Sequence, residues 1–507
     1  MEGSASDGKI KWNFEDNGYG IGKILTVAAD GKSCTVKVLS AFPWAAVGSD
    51  RKTWKWKFGA WNKEYGYPAC GCFHRERLCV GRKSKIWFSW SDDFESFAEK
   101  DGGLITSECG WGFGVSSGIT VGNIVWMQSG TNLLLGTDVN TVGIGESSSD
   151  ATFYSSNCRS YEQTRDACAA IQPVRIGQRF VFIDITGKSA DTLSYNANNY
   201  QYDSDTIQTY AKHINVEGVV NMIRIREPFD VIYCLKKNGT LSCSLYAPSQ
   251  EGLAWYRIKT DGFIESISKD GNNLAMCVRR TVIKNGISQE VYGIEFLQNP
   301  FQGFFSKTVA DFPTDKEYRQ YCIDSLLEAQ KEACYLDSSI IKSSDTPFSV
   351  IDSNLEHLAG RQVRIVSEGG IEPDQEVKLI NGKWSITLQY PSKIAIVGLP
   401  YMGVIIPTPM EGDGERSARA RKKRINKIGF RVYNSMGGQY GNSMDTLVDA
   451  LGRQGSDNLD NPIPLQTKDI EMDVFNGEYE EAERIIFVQR YPLPFTLQAI
   501  VFEYEIY

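Results

Sequence analysis

From Tyr67-Pro68 to about residue 310, short apolar runs recur between turn residues: Lys85 to Trp90, Leu133 to Gly136, Phe180 to Ile183, Val231 to Leu235, Thr240 to Tyr246 and Val291 to Phe296. Runs this short at this spacing predict the strands of a sandwich, barrel or propeller, and no strict repeat selects among the three. The 47 glycines, 24 tyrosines, 24 phenylalanines and 11 tryptophans favour the same mostly β reading, because aromatics suit pleated half-buried surfaces and glycine suits the turns between them.

The rest of the chain is punctuated around that series. Lys23 to Val27 and Cys34 to Leu39, joined through Asp30-Gly31, predict a β-hairpin. With the tryptophan-rich linker of Trp54, Trp56 and Trp61 it makes a small β module over residues 1–66, ahead of a core over 67–312. Behind Thr314-Asp315 as a capping pair, Tyr318, Cys322, Leu326 and Leu327 share one helical face, so 313–340 reads as a helical connector. A β module that completes or flanks the core follows over 341–400, and the Gly- and Pro-containing stretch from Gly398 to Gly414 opens a C-terminal β domain over 401–507, ending in a strand from Thr496 to Tyr507. At 507 residues and 42% hydrophobic content, about two to four domains with real cores are expected.

Charge and cysteine usage exclude several classes. A net charge of −8, from 54 basic and 62 acidic residues, repels duplex DNA, which argues against a nucleic-acid reader but not against a passive channel. The segment from Met1 to Asn13 lacks an apolar h-region, and no run approaches the roughly 18 apolar residues that cross a bilayer, so neither secretion nor membrane insertion is expected. Twelve cysteines scattered over so long a chain read as buried free thiols made in a reducing cytoplasm.

The chemistry-bearing constellations are few. Cys70, Cys72 and His74 share one face of an extended strand, with Cys79 nearby, and these are zinc-ligand types at a spacing that no finger uses; small buried strand residues are the alternative. The glycines from Gly18 to Gly22 and from Gly110 to Gly114 do not lie between a strand and a helix, so they read as turns or bulges and not as phosphate cradles. His74, His213 and His357 are the only histidines, none beside a Gly-x-Ser-x-Gly turn, which argues against serine-type catalysis. Asp92, Asp93 and Glu95, or Glu411, Asp413 and Glu415, have the residue types of a glycosidase pair, yet acidic loops are ordinarily solvated surface. The densest positive charge, Arg416, Arg419, Arg421, Lys422, Lys423, Arg424 and Lys427, directly follows the acidic stretch from Glu411 to Glu415, a pattern suited to a subunit interface, although a solvated loop or a phosphate contact fits as well.

Ordered blocks along the chain resemble the tail nozzle family of short-tailed bacteriophages, also called tail tubular protein B. The most recognisable stretch is Tyr67-Pro68, then Phe73 to Val80, Ile86 to Ser89, Asp92 to Phe94 and Phe97. Ile124 to Trp126, Leu133 to Thr137, Pro173-Val174, Gly177 to Phe182, Ala211 to Ile214, Gly239 to Leu241, Trp255 and Thr260 to Gly262 follow in order. So do His357 to Val363, Val397 to Tyr401, Arg421 to Ile425 and Pro492 to Leu497, and the resemblance covers nearly everything from Asn13 onward.

That resemblance implies a β-propeller-like core with appended β domains and one short helical insert. It implies six copies around a central channel at the distal end of the tail of a virion, assembled in the host bacterial cytoplasm and docked below a dodecameric adaptor ring. Genomic double-stranded DNA is held and then released through the channel without sequence recognition, and tail fibres or a tail tip attach. No catalysis, cofactor or metal is implied. Members of the family usually carry a longer N-terminal region with further propeller strands, so the expectation here is that a separate chain supplies them or that the nozzle is a reduced one. The rival readings are a receptor-binding or glycan-cleaving tail protein, expected to be trimeric with β-helix coils or a paired-carboxylate groove, and a cellular propeller hub with blade motifs about every 40 residues; neither repeat is legible in the sequence.

Overall fold

The computed structural model describes residues 2–6, 9–13, 20–43, 46–49, 56–100, 104–115, 122–146, 153–248, 252–284, 286–298, 306–408, 421–453, 455, 457, 462–475, 477, 479 and 484–506. Their secondary structure is mostly β, with one α-helix among the described residues. The chain divides into two compact units, 1–224 with 232–237 and 242–256, and 225–231 with 238–241 and 257–507.

The first unit is built on successive antiparallel meanders in which each strand pairs with its neighbour in sequence. The first sheet runs Cys70–His74, Arg77–Arg82, Lys85–Phe88 and Trp111–Gly114, and the second Ile124–Ser129, Leu133–Thr137, Thr141–Glu146 and Cys158–Thr164. The third runs Val174–Ile176, Arg179–Ile183, Ala190–Asn196 and Gln201–Thr206, and a fourth of the same form lies mainly in this unit, from Val219–Ile225 to Gly252–Ile258. Four-stranded meanders stacked in sequence are the blades of a propeller-like core.

Strand alternation dictates the stacking. Leu133 and Leu135 face Cys79, Ile86 and Phe88 of the first sheet, whereas Leu134 between them joins Trp126, Phe180, Phe182 and Leu193 toward the third. Val181 and Ile183, in alternation with those two phenylalanines, pack instead with Val219, Met222, Ile232 and Cys234 of the fourth. The inner strands are therefore buried on both faces, which is why Leu133–Thr137 and Arg179–Ile183 read as continuous apolar runs.

Two devices fix this unit locally. Gly136 stands directly across the strand pair from Trp126, and a Cβ at Gly136 would fall inside the buried indole, so the ring lies flat over a bare backbone. Arg77 is 3% exposed and donates to four main-chain oxygens: Ser89 O at 2.6 Å, Ser107 O at 2.5 Å, and Glu108 O and Cys109 O at 3.1 Å each. Its guanidinium also lies 4.8 Å from the centroid of Trp111, and this clasp ties the loop before Trp111–Gly114 to the sheet. The Gly110 to Gly114 run is largely that last strand, not a turn; Gly110 is needed because a Cβ there would come within 3.0 Å of the Phe97 backbone.

Ahead of the meanders Glu2–Ser6 pairs with Lys9–Asn13, and Ile21–Val27 pairs with Cys34–Ser40 in the expected hairpin. Gly20 and Gly22 leave room for the ring of Phe42. Of the linker tryptophans, Trp54 lies outside the described residues, Trp56 is exposed, and Trp61 packs edge-on against Trp87 and Phe97.

The second unit opens with a three-stranded sheet of Phe263–Asp270, Asn273–Lys284 and Ile287–Leu297. The helix Asp315–Glu332 starts where Thr314 accepts a hydrogen bond from Glu317 N, and Tyr318, Cys322, Leu326 and Leu327 are half-buried along it, so cap and apolar face are as expected. Long strands Asp337–Ile351 and Lys383–Leu399 then pair with each other and enclose a core with Gln362–Ser367. In the C-terminal part, Lys423–Ser435 is central between Gln466–Val474 and Leu497–Ile506, beside a four-stranded sheet containing Ile486–Gln489.

Arg280 is the electrostatic centre of this unit and is 6% exposed. Its Nε and Nη2 fork both oxygens of Glu295 at 2.7 Å, and Nη2 also reaches Thr260 Oγ1 at 2.6 Å and Asp337 Oδ1 at 3.0 Å. Nη1 donates to Asp261 O, while Asp337 accepts from Asp261 N at 2.7 Å. Two carboxylates thus surround one cation, and all three nitrogens of the guanidinium donate within the element junction. Among the described residues no helix is long and apolar enough to cross a membrane.

Candidate assembly surfaces and side-chain clusters

The basic cluster lies on and before the central strand Lys423–Ser435. Arg416 and Arg419 lie outside the described residues, and so does the acidic stretch of Glu411, Asp413 and Glu415. Arg421 and Lys422 are exposed, and Lys423 is buried opposite Ile506. Arg424 stands opposite Glu505, its guanidinium 5.3 Å from the centroid of Tyr479, and Lys427 Nζ bonds Glu503 Oε2 at 2.9 Å. The sequence cluster therefore splits into a part facing the carboxylates of the last strand and a part presented outward. The split arises because the acids come from a strand about 80 residues away that no local pattern connects to the cations.

Two exposed apolar surfaces accompany it. On the edge strand Ile287–Leu297, Tyr292, Ile294 and Phe296 project from one face at 60%, 76% and 55% exposure. In the Ile21–Val27 and Cys34–Ser40 hairpin, Ile21, Ile24, Leu25, Val27, Val38 and Leu39 are all exposed. Sequence reasoning found these strands and missed their exposure. The available signal was apolar residues on both alternation phases of a hairpin, which one covered face cannot accommodate.

In the cysteine-histidine cluster, Cys70, Cys72 and His74 do share the inward face, and Cys72 lies directly opposite Cys79. The donors are otherwise engaged. Cys79 Sγ lies 3.9 Å from Arg77 O, and the adjacent Cys72 thiol together with burial holds Cys79 far above its ordinary range; burial first, then Cys72, pushes Cys70 up to about 12. His74 is 3% exposed, shares a 2.9 Å hydrogen bond with Ser129 Oγ through Nδ1 and packs edge-on against Phe153. Among the described residues no three His, Cys, Asp or Glu side chains are grouped to hold a metal. All twelve cysteines are free thiols.

Of the acidic candidates, Asp93 Oδ1 accepts Glu95 N at 3.2 Å, and Asp92 adopts a left-handed φ of 59° with its N–H on Glu76 O, so the trio shapes an exposed turn. His213 and His357 lie in short 3-10 turns, and His357 Nε2 is 3.0 Å from Ser338 O.

Burial, then the adjacent Arg75 charge, lowers His74 from 6.5 to about 4. The folded state therefore binds its proton less readily than the unfolded state, and stability falls as pH drops from about 6.5 toward about 4. We expect a loss of about 3 kcal/mol across that window from this residue. His74→Gln should flatten the difference between denaturant midpoints measured at pH 7 and pH 4.5; an unchanged slope would remove His74 as the cause.

No protein-family model matches the chain, and no curated protein matches it. Solved structures similar to part of it include a Bacteroides uniformis protein assigned as a 6-phosphogluconolactonase, at 9% identity and a TM-score of 0.29 over 46% of this chain and 74% of that one. A luciferin-regenerating enzyme matches at 14% identity and 0.24, over 40% and 66%. The Bacteroides ovatus xyloglucan PUL GH43B matches at 7% identity and 0.19, over 86% and 89%. At such scores these likenesses carry no argument about activity.

Proposed function

We propose that this chain is a structural subunit of a bacteriophage tail nozzle, one of six copies around a channel that retains genomic DNA and releases it during ejection. The observation that carries this reading is the ordered series of sequence blocks, whose residues occupy structural joints. The block from Phe73 to Val80 holds the Arg77 clasp, Trp126 and Gly136 come from two consecutive blocks, and Thr260-Asp261 belongs to the Arg280 centre. Exposed edges and apolar strands support a chain made to assemble.

On this reading the subunit sits in the virion at the distal tail. It contacts a dodecameric adaptor ring and fibre or tip proteins, and works without catalysis or cofactor. The exposed part of the cluster from Arg416 to Lys427 serves subunit docking, and the −8 charge repeated around the ring gives a wall from which DNA phosphate is repelled. Native mass spectrometry and electron microscopy of the full chain test it: a closed sixfold ring with an open channel is expected. A threefold particle would overturn it in favour of a receptor-binding or glycan-cleaving tail protein.

A further inference from the structure

Each complete meander of the first unit has four strands, but the sheet of Phe263–Asp270, Asn273–Lys284 and Ile287–Leu297 has three. Among the described residues the eleven-residue strand Ile287–Leu297 is paired on one side only, along its full length, with Asn273–Lys284. A long unpaired edge that also carries an apolar row, here Tyr292, Ile294 and Phe296, is the template for adding a strand: main-chain groups supply affinity, and alternate side chains supply register. The same outer face holds Arg279 between Glu265 at 2.6 Å and Glu290 at 2.7 Å, which leaves one negative charge in excess.

The hairpin of Ile21–Val27 and Cys34–Ser40 has the complementary properties. Among the described residues it forms a sheet of two strands, and such a hairpin is marginal in water without a covering surface. Six of its large apolar side chains are 45% to 62% exposed, and they lie on both faces. Lys23 sits directly opposite Lys37, a like-charge pair that destabilises the hairpin as it stands and that a neighbouring carboxylate would relieve.

We infer that the hairpin of one copy adds to the Ile287–Leu297 edge of the next, extending its three-stranded sheet and setting Lys23 and Lys37 toward the Glu265 and Glu290 face. The two surfaces are different patches of one chain, so the contact is head-to-tail. Repeated, it either closes a ring or grows a filament. The inference rests on the nozzle reading for closure at six, but not for the contact itself.

The test places a photoreactive benzoylphenylalanine at Ile294 in full-length chain and mixes light with ¹⁵N-labelled copies before irradiation. Cross-links to residues 21–40 carrying both isotope combinations are expected. Cross-links only within one isotope would mean that the hairpin folds back on its own chain, and cross-links elsewhere or none would mean that another surface covers the edge; each overturns the inference. In parallel, Ile294→Lys and Leu25→Lys, both at exposed positions, should each weaken self-association about tenfold or more. Association unchanged in both variants would also overturn it. A mixed-isotope cross-link in a particle that is not sixfold keeps this contact and removes the nozzle ring, whereas a sixfold ring lacking the cross-link does the reverse.

Discussion

Replacing Arg280 with methionine is expected to lower the unfolding free energy of the second unit by about 3–5 kcal/mol, the largest loss for any single exchange considered for this chain. The reason is asymmetry. With Arg280 present, Glu295 and Asp337 are each bonded and partly shielded at 24% and 12% side-chain exposure; without it, two carboxylates share a largely dry junction with no cation between them. Thr260 and the Asp261 carbonyl also lose their donor. Arg361, which pairs with the Asp261 carboxylate, stands at the exposed margin and cannot take over both acids. Adding Glu295→Gln and Asp337→Asn to the methionine variant should restore a good part of the loss, because neutral amides carry no repulsion and far less desolvation cost. Guanidinium unfolding curves for the single and triple variants decide it. A single-variant loss below about 1 kcal/mol would show that the junction holds without its cation.

Gly136→Ala is expected to cost about 3 kcal/mol in the first unit, at the upper end of overpacking penalties. One added methyl falls within the indole of Trp126, and that ring is 1% exposed among Phe182, Phe180 and Leu134, so it has no free direction of retreat. Trp126→Ala alone should cost a comparable amount by leaving a cavity. In the Trp126→Ala background the Gly136→Ala penalty should largely vanish, and the coupling energy of that cycle is the measurement. Additive losses would mean that the glycine is needed for its backbone and not for the ring above it.

What could be read directly from the residues follows from burial. Leu133 to Gly136 and Phe180 to Ile183 are plain in the sequence because the same strands are sandwiched between sheets, so both alternation phases are apolar. The helix was legible through Thr314 and its spaced apolar residues. The strand Ile287–Leu297 was seen only from Val291 to Phe296, since Ser288, Gln289 and Glu290 lie in an exposed stretch where polar residues hide the extended pattern. Cys70, Cys72 and His74 share a face as strand geometry requires, but the placement of Cys72 opposite Cys79 depends on the register of a hairpin and not on spacing. The pairing of Lys427 with Glu503 was the least visible, because it joins two strands whose adjacency is a property of the sheet.

The Arg77 clasp has an evolutionary corollary. Its four hydrogen bonds all end on main-chain oxygens, and the loop it grips at Ser107, Glu108 and Cys109 offers those oxygens whatever side chains it carries. The clasp thereby separates the loop's anchorage from its composition. Substitutions at the exposed Leu104 and Ile105 can alter what the loop presents to solvent while the attachment stays the same, and selection on that surface can proceed without being tested each time against folding.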